Sequence, residues 1–277
     1  MNYPDLQFCI LDRQIRVRCD HELFRSLLLA NYAAFQEPGD CADLEYSVRR
    51  YPSGGFSIAK GNEILHEQAS DEALRYLVVY LLEKLITIDL QKLRTDLYFV
   101  HSSALERRGR VIMIVAESGT GKSTTAWALL QHGFRYLSDE LAPIDPASLD
   151  VHPYPHALCL KAPPPGPYPL PEETTRTEMT LHIPVAKLPS PTIRQPTPLH
   201  ALLFLQRDAA VSVPTFAEVS PAEAGARVYA STLNALAHPG KGLDVAIRIA
   251  TAVPAFTVNA GDLRATCELI SGLEEDL

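Results

Sequence analysis

Residues 111–130 read VIMIVAESGTGKSTTAWALL, and no other stretch so limits what the chain can fold into. An apolar run of strand type ends in a glycine-rich turn with a single lysine, and helix-forming residues follow. The turn, Ala116-Glu117-Ser118-Gly119-Thr120-Gly121-Lys122-Ser123, fits seven of the eight positions of the phosphate-loop pattern G-x-x-x-x-G-K-[ST], counting its free ones. Gly119 and Gly121 let successive N–H groups turn inward at phosphate oxygens, in conformations that a Cβ would hinder. Lys122 is expected to reach the β- and γ-phosphates, and Ser123 to offer its hydroxyl to Mg²⁺. The helix that starts near Lys122 aims its positive end at the same anion. A nucleotide is therefore expected along Glu117, Ser118, Gly119, Thr120, Gly121, Lys122, Ser123 and Thr124. Ala116 stands where the pattern has glycine, which matters only if that position needs a positive φ.

The next apolar segment, FRYLSDELAPID, ends in Asp139 and Glu140, 17 and 18 residues after Lys122. A strand adjacent to the phosphate loop that ends in a carboxylate is where Mg²⁺ is expected; the plainer reading is a solvated acidic turn. The chain has no N-K-x-D guanine signature and no L-S-G-G-Q segment, which argues against a GTPase and an ABC ATPase. Strand candidates LYFVHSSAL, RVIMIVA and FRYLS surround the helix KSTTAWALLQH, which Gly133 closes. Farther on, LHALLFLQRD reads as a buried strand. SPAEAGARVYASTLNAL reads as a helix with Ser220 as N-cap, Pro221 in its first position and Glu223 three residues after the cap. VPAFTVNA is a last strand and DLRATCELISGLEE a last helix. Such alternation predicts an α/β sheet with ligands at the carboxyl ends of its strands.

The first third reads differently. LQFCILDRQIRVRC suggests two strands around Asp12-Arg13, HELFRSLLLANYAAF a helix, and LEYSVRRY, GFSIAK and NEILHE three short strands. A long helix is expected from Ser70, with Asp71 and Glu72 in its first turn and an apolar stripe of Leu74, Leu77, Val78, Leu81, Leu85 and Ile88. Residues 1–94 thus form a small α+β unit that ends in this helix, ahead of a nucleotide-binding region at 95–277. Between Pro153 and Pro198 lie 13 of the 22 prolines, which excludes a regular helix. That segment reads as an extended surface excursion or as a mobile lid or substrate-docking segment.

A net charge of -8 and a pI of about 5.6 disfavour non-specific nucleic-acid binding. Five cysteines without CxxC spacing argue against a disulfide framework and a zinc site. The start, MNYPDLQFCILD, has no signal-peptide pattern. YLVVYLLEKLITIDL is broken by Glu83, Lys84 and Asp89, so no membrane span is expected and a cytoplasmic, soluble protein is the default.

The loop ESGTGKS with an acidic pair at this distance resembles HPr kinase/phosphorylase and its relatives, whose loop is typically G-D-S-G-x-G-K-S. SGTGKST is also similar to the loop of phosphoenolpyruvate carboxykinase. The resemblance covers roughly 97–277 and is densest from His101 to Asp145. It implies a P-loop kinase core of the HPr kinase/phosphoenolpyruvate carboxykinase type, and an ATP- and Mg²⁺-dependent enzyme that phosphorylates a serine on a protein or peptide. It also implies homo-oligomers, since HPr kinases form rings. Asp139 and Glu140 fall where the family has two aspartates, one for the metal and one to accept the serine proton. A glutamate at the second position reaches one methylene farther, so the division of labour stays open. His101 stands 15 residues before Ala116, where the family also has a histidine; it could orient a carboxylate, contact the transferred phosphate, or simply end a strand. The implied catalytic set is Asp139, Glu140, His101 and Lys122, with Ser123 and Asp139 at the metal. Arg207 and Arg248 are candidates for a transition-state arginine, and Lys161 could reach a phosphate or be solvated. His152 and His156 read as structural. A nucleotide-dependent regulatory module and a small-molecule kinase stay open beside the serine kinase.

Overall fold

Three β-sheets organise the computed structural model, which describes residues 3–52, 54–68, 74–177, 179–207 and 213–276. The first sheet is local. Strands β1 (Leu6–Ile10) and β2 (Arg13–Cys19) form an antiparallel hairpin with Leu6 opposite Val17 and Ile10 opposite Arg13. Leu11 and Asp12 between them take φ of 50° and 60°, the left-handed pair that lets a two-residue turn follow the strand twist. Helix α1 (Glu22–Tyr32) leads to β3 (Leu44–Arg50), which joins β2 in parallel. Strands β4 (Phe56–Lys60) and β5 (Glu63–Gln68) complete the order β1-β2-β3-β4-β5.

Helix α2 (Leu74–Leu93) packs on this sheet. The expected start at Ser70, with Asp71 and Glu72, lies outside the described residues. Farther along, Val78, Val79, Leu82, Ile86 and Leu90 are buried while Ile88 is 46% exposed, so the buried stripe is rotated from the predicted one. Asp89 explains the rotation. It faces inward and accepts bonds from the Tyr46 hydroxyl and Lys60 Nζ, each at 2.7 Å, which anchors that side of the helix to β3 and β4.

The second sheet is mixed and has nine strands. LYFVHSSAL is two strands, β6 (Tyr98–Val100) and β7 (Ser103–Arg107), with the chain bent at His101 and Ser102. Then follow β8 (Arg110–Val115), α3 (Lys122–Leu130), β9 (Arg135–Ser138), β10 (Ala142–Ile144) and β11 (Asp150–Val151). The proline-rich segment holds β12 (Leu158–Leu160), β13 (Thr175–Arg176) and β14 (Leu181–Ile183), which make the third sheet in the order β12-β14-β13. Strand β15 (Thr197–Arg207) re-enters the large sheet. After it come β16 (Thr215–Glu218), α4 (Pro221–Ala230), α5 (Leu243–Ala252), β17 (Ala255–Ala260) and α6 (Leu263–Asp276).

The order is β6-β10-β11-β15-β8-β7-β9, with β17 on β15 and β16 on β17. Strands β8, β15 and β17 run parallel, and β7 lies antiparallel between β8 and β9. The strand that leads into Asp139 is therefore one position removed from the strand that carries the glycine-rich turn, not adjacent to it as expected, because β7 lies between them. Alternation along β8 divides the core. Ile112 and Ile114 pack with α3 and α6, whereas Val111 and Met113 pack with α4 and α5, as a period of two on a sheet covered on both faces requires. Helix α4 begins as predicted: the Ser220 hydroxyl accepts from the Glu223 N–H at 3.3 Å, and Pro221 opens the first turn. Helix α5 and strand β16 are elements the sequence reading left unassigned. Among the described residues no helix is long and apolar enough to cross a membrane.

Candidate functional site

The connection from β8 to α3 is a glycine-dependent turn. Gly119 and Gly121 adopt φ of 92° and 111°, and a Cβ added to either would meet no atom within 4 Å. Glycine is needed there for backbone conformation, and the space in front of the turn is open. Ala116 is not among the positive-φ residues, so a methyl group at that position costs the loop nothing. Helix α3 starts at Lys122 with Gly121 as its N-cap and with neither a side-chain cap nor an acidic residue in its first turn. The first N–H groups of a helix have no intrahelical acceptor. Here no side chain caps them, which is the arrangement that suits an outside anion.

Lys122 does not extend into solvent. It is only 6% exposed, and its Nζ donates to the backbone carbonyl of Asp139 at 2.5 Å. The same nitrogen lies 3.9 Å from Asp139 Oδ1. Asp139 follows β9 and is 1% exposed. Its Oδ1 accepts the Ser103 hydroxyl at 2.5 Å, while its buried Oδ2 has no hydrogen-bond partner. A buried carboxylate oxygen without a donor is costly, and a cation is the partner that would relieve it. Ser123 and Thr124 sit half-buried in the adjacent first turn of α3. The described residues contain no group of three His, Cys, Asp or Glu side chains arranged for a metal. Mg²⁺ does not require one, since it keeps water and takes one or two carboxylates beside phosphate oxygens.

Glu140 and His101 form the open side of the site. The side chains are 46% and 34% exposed, and His101 Nδ1 lies 3.0 Å from the Glu140 carbonyl and 3.7 Å from Glu140 Oε2. A carbonyl oxygen can only accept, so Nδ1 carries the proton and Nε2 keeps its lone pair. Burial, followed by the nearby Lys122 charge, holds the His101 imidazole below its ordinary pKa, with Glu140 acting in the opposite direction. The bend between β6 and β7 places His101, and the backbone bond from its N–H to Ser231 O at 2.8 Å fixes it.

Of the sequence candidates, the fold brings together Lys122, Asp139, Glu140 and His101 beside the loop. Lys161 also arrives, with its Nζ 3.1 Å from Ser118 Oγ. Arg248 lies on α5, where it donates to Ala147 O at 2.7 Å. Arg207 is exposed at the end of β15. His156 is a core residue: its ring packs edge-on against Tyr32 at 4.9 Å and stacks on Tyr154 at 6.2 Å, with Nε2 3.4 Å from Glu83 Oε1. His152 is half-buried, and its N–H donates to Pro143 O at 2.7 Å. Ser103 escaped the sequence reading; the only signal for it is its place two residues after His101 in SSAL.

The proline-rich segment is neither wholly extended nor detached. Leu158, Leu160, Tyr168, Leu181 and Ile183 are buried in the same core as α3. Trp127 Nε1 donates to Tyr168 O at 3.3 Å, and His132 Nε2 is 2.8 Å from the Tyr168 hydroxyl.

No protein-family model matches the sequence, and no curated protein matches it. Among solved structures, the HPr(Ser) kinase/phosphatase from Coxiella burnetii is similar at 13% sequence identity and a TM-score of 0.35, over 64% of this chain and 88% of that one.

Proposed function

We propose that the chain is an ATP- and Mg²⁺-dependent kinase that transfers the γ-phosphate to a serine hydroxyl of a protein or peptide. The observation that carries this reading is the partnerless Asp139 Oδ2 beside Lys122 and an uncapped glycine-rich helix start. Residues 95–277 are the kinase unit, and residues 1–94 are an accessory unit that packs on it through α1 as well as α2.

Glu117 to Thr124 would hold the polyphosphate, through the backbone N–H groups and Lys122. Ser123 and Asp139 would hold the metal, which when bound neutralises charge on the transferring phosphoryl group. Asp139 suits that role because it is buried and rigidly held by Ser103. Glu140 is exposed and can meet an incoming hydroxyl, so the acceptor proton is assigned to its carboxylate. His101, neutral and with a free Nε2, shares the hydrogen bond of that hydroxyl and orients it. The serine acceptor follows from the resemblance of ESGTGKS and the acidic pair to HPr kinases.

The test separates binding from transfer. Asp139→Asn and Glu140→Gln should each abolish phosphate transfer while nucleotide affinity persists. If neither substitution changes transfer to an acceptor that the wild type labels, the roles given to these carboxylates are wrong.

A further inference from the structure

Lys161 is the first residue after β12 and is exposed, yet its position is not left to chance. Leu158 and Leu160 anchor the strand before it, paired to Ile183 and Leu181 of β14 and buried against the α3 side of the core. Pro163, Pro164 and Pro165 stiffen the chain after it, and Tyr168 ties the following turn to Trp127 and His132 at the other end of α3. The segment that carries Lys161 is thus fixed to the same helix whose first residue is Lys122.

The two lysines differ in how they are committed. Lys122 is buried and held by Asp139, through both the carbonyl and the nearby carboxylate. The Lys161 ammonium donates to a neutral hydroxyl, Ser118 Oγ, on the exposed rim of the phosphate loop. Among the described residues no carboxylate forms an ion pair with it, in a chain with 33 acidic residues against 25 lysines and arginines. An ammonium kept beside an anion-binding loop and spared an acidic partner has its charge available for a ligand.

We propose that Lys161 is a second phosphate-binding ammonium, carried to the loop by the proline-rich segment, and that it holds the terminal phosphate of a nucleoside triphosphate. This rests on the nucleotide-site reading above. The loop N–H groups cradle the α- and β-phosphates, so the phosphate beyond them is the one left for a cation on the rim at Ser118. The proline-rich segment thereby becomes part of the nucleotide site, and diphosphate and triphosphate differ in whether they engage it.

The test is calorimetric titration with Mg·ATP and Mg·ADP of wild type, Lys161→Ala, Lys161→Arg and Lys122→Ala, each first checked for an unchanged melting temperature. Loss of one charge-assisted hydrogen bond corresponds to about 10- to 100-fold in affinity. Lys161→Ala should lose that factor for Mg·ATP and bind Mg·ADP within about threefold of wild type, and Lys161→Arg should recover most of the loss. Unchanged Mg·ATP affinity, or an equal loss for both nucleotides, would overturn the role given to Lys161. Wild-type affinity in Lys122→Ala, or no binding by the wild type, would instead overturn the nucleotide site itself and Lys161's role with it.

Discussion

Ser103 donates its hydroxyl to Asp139 Oδ1 at 2.5 Å, and both residues are withdrawn from solvent. The bond fixes one oxygen of the carboxylate and leaves the other, Oδ2, without a partner. Ser103→Ala would strip Asp139 of its only side-chain hydroxyl donor among the described residues. The expected loss of stability is about 1–3 kcal/mol, the cost of a buried acceptor left unsatisfied. Urea unfolding at neutral pH measures it. A change within about 0.5 kcal/mol would mean that the bond does not hold the carboxylate.

Loop geometry makes opposite forecasts for its glycines and for Ala116. Gly119→Ala or Gly121→Ala forces a side chain into positive φ, at a cost of order 1–3 kcal/mol, and points a methyl into the open space before the loop. Both variants should melt lower and lose Mg·ATP binding. Ala116→Gly should bind Mg·ATP as the wild type does, because the position has no positive φ. Its stability should fall by about 0.4–1 kcal/mol through added freedom of the unfolded chain. Tighter nucleotide binding by Ala116→Gly would show that the alanine had impaired the loop.

The buried pair Glu83–His156 joins α2 to the segment before β12 and sets a pH response. Glu83 Oε1 also accepts a hydrogen bond from Asn31 on α1. Burial alone would lower the His156 pKa, but the Glu83 charge and hydrogen bond outweigh it and the pKa is raised. That of Glu83 is lowered despite burial, chiefly by His156. The His156 contribution is full below the unfolded histidine value of about 6.5 and fades as pH rises through its raised folded value. The Glu83 contribution is full above its unfolded value and fades as pH falls through the lowered one. His182, near the same cluster, has its pKa lowered by burial, so protonating it on acidification works against the fold. Stability from the pair should therefore decline from about pH 6 to pH 8. Glu83→Gln should flatten that decline, as compared by urea unfolding at the two pH values. An unchanged slope would assign the pH response to other groups.

The half-buried His101 beside the exposed Glu140 predicts the acid side of the pH profile. His101 must be neutral for Nε2 to accept a hydrogen bond, and its lowered pKa keeps it so down through the range where an ordinary histidine would protonate. Transfer should fall on acidification only below about pH 6.5, and His101→Asn should remove that limb while lowering the rate. Glu140→Gln should lower kcat by about 10²–10⁴-fold at every pH with little change in Mg·ATP affinity. A Glu140→Gln enzyme with wild-type kcat would exclude the carboxylate as proton acceptor.

Legibility from sequence followed the range of the interactions. The glycine-rich turn after β8, the first hairpin and the Ser220 cap depend on neighbours within a few residues and are readable, although the hairpin turn lies at Leu11-Asp12, one residue before the expected Asp12-Arg13. Asp139 beside Lys122 was readable only through spacing along the chain. Strand β7 joins β8 through a local hairpin at Arg108 and Gly109, but its antiparallel pairing with β9 spans the loop and α3 and is a non-local contact that no periodicity encodes. The bend at His101 was hidden inside an apolar run that favours strand on both sides. Helix α5 follows Gly240 and Lys241, which take φ of 59° and 53°, and such turn-forming residues conceal the amphipathic LDVAIRIATA behind them. The Asp89 anchor turned the stripe on α2, because a polar group satisfied by Tyr46 and Lys60 can face the core.

The most direct test of the central claim is transfer of the γ-phosphate of labelled ATP with Mg²⁺ into a cell lysate separated by size, with wild type and Lys122→Ala compared. A labelled polypeptide that appears with the wild type and is absent with Lys122→Ala is the predicted result. Label confined to small molecules, or a polypeptide labelled equally by both enzymes, would contradict it.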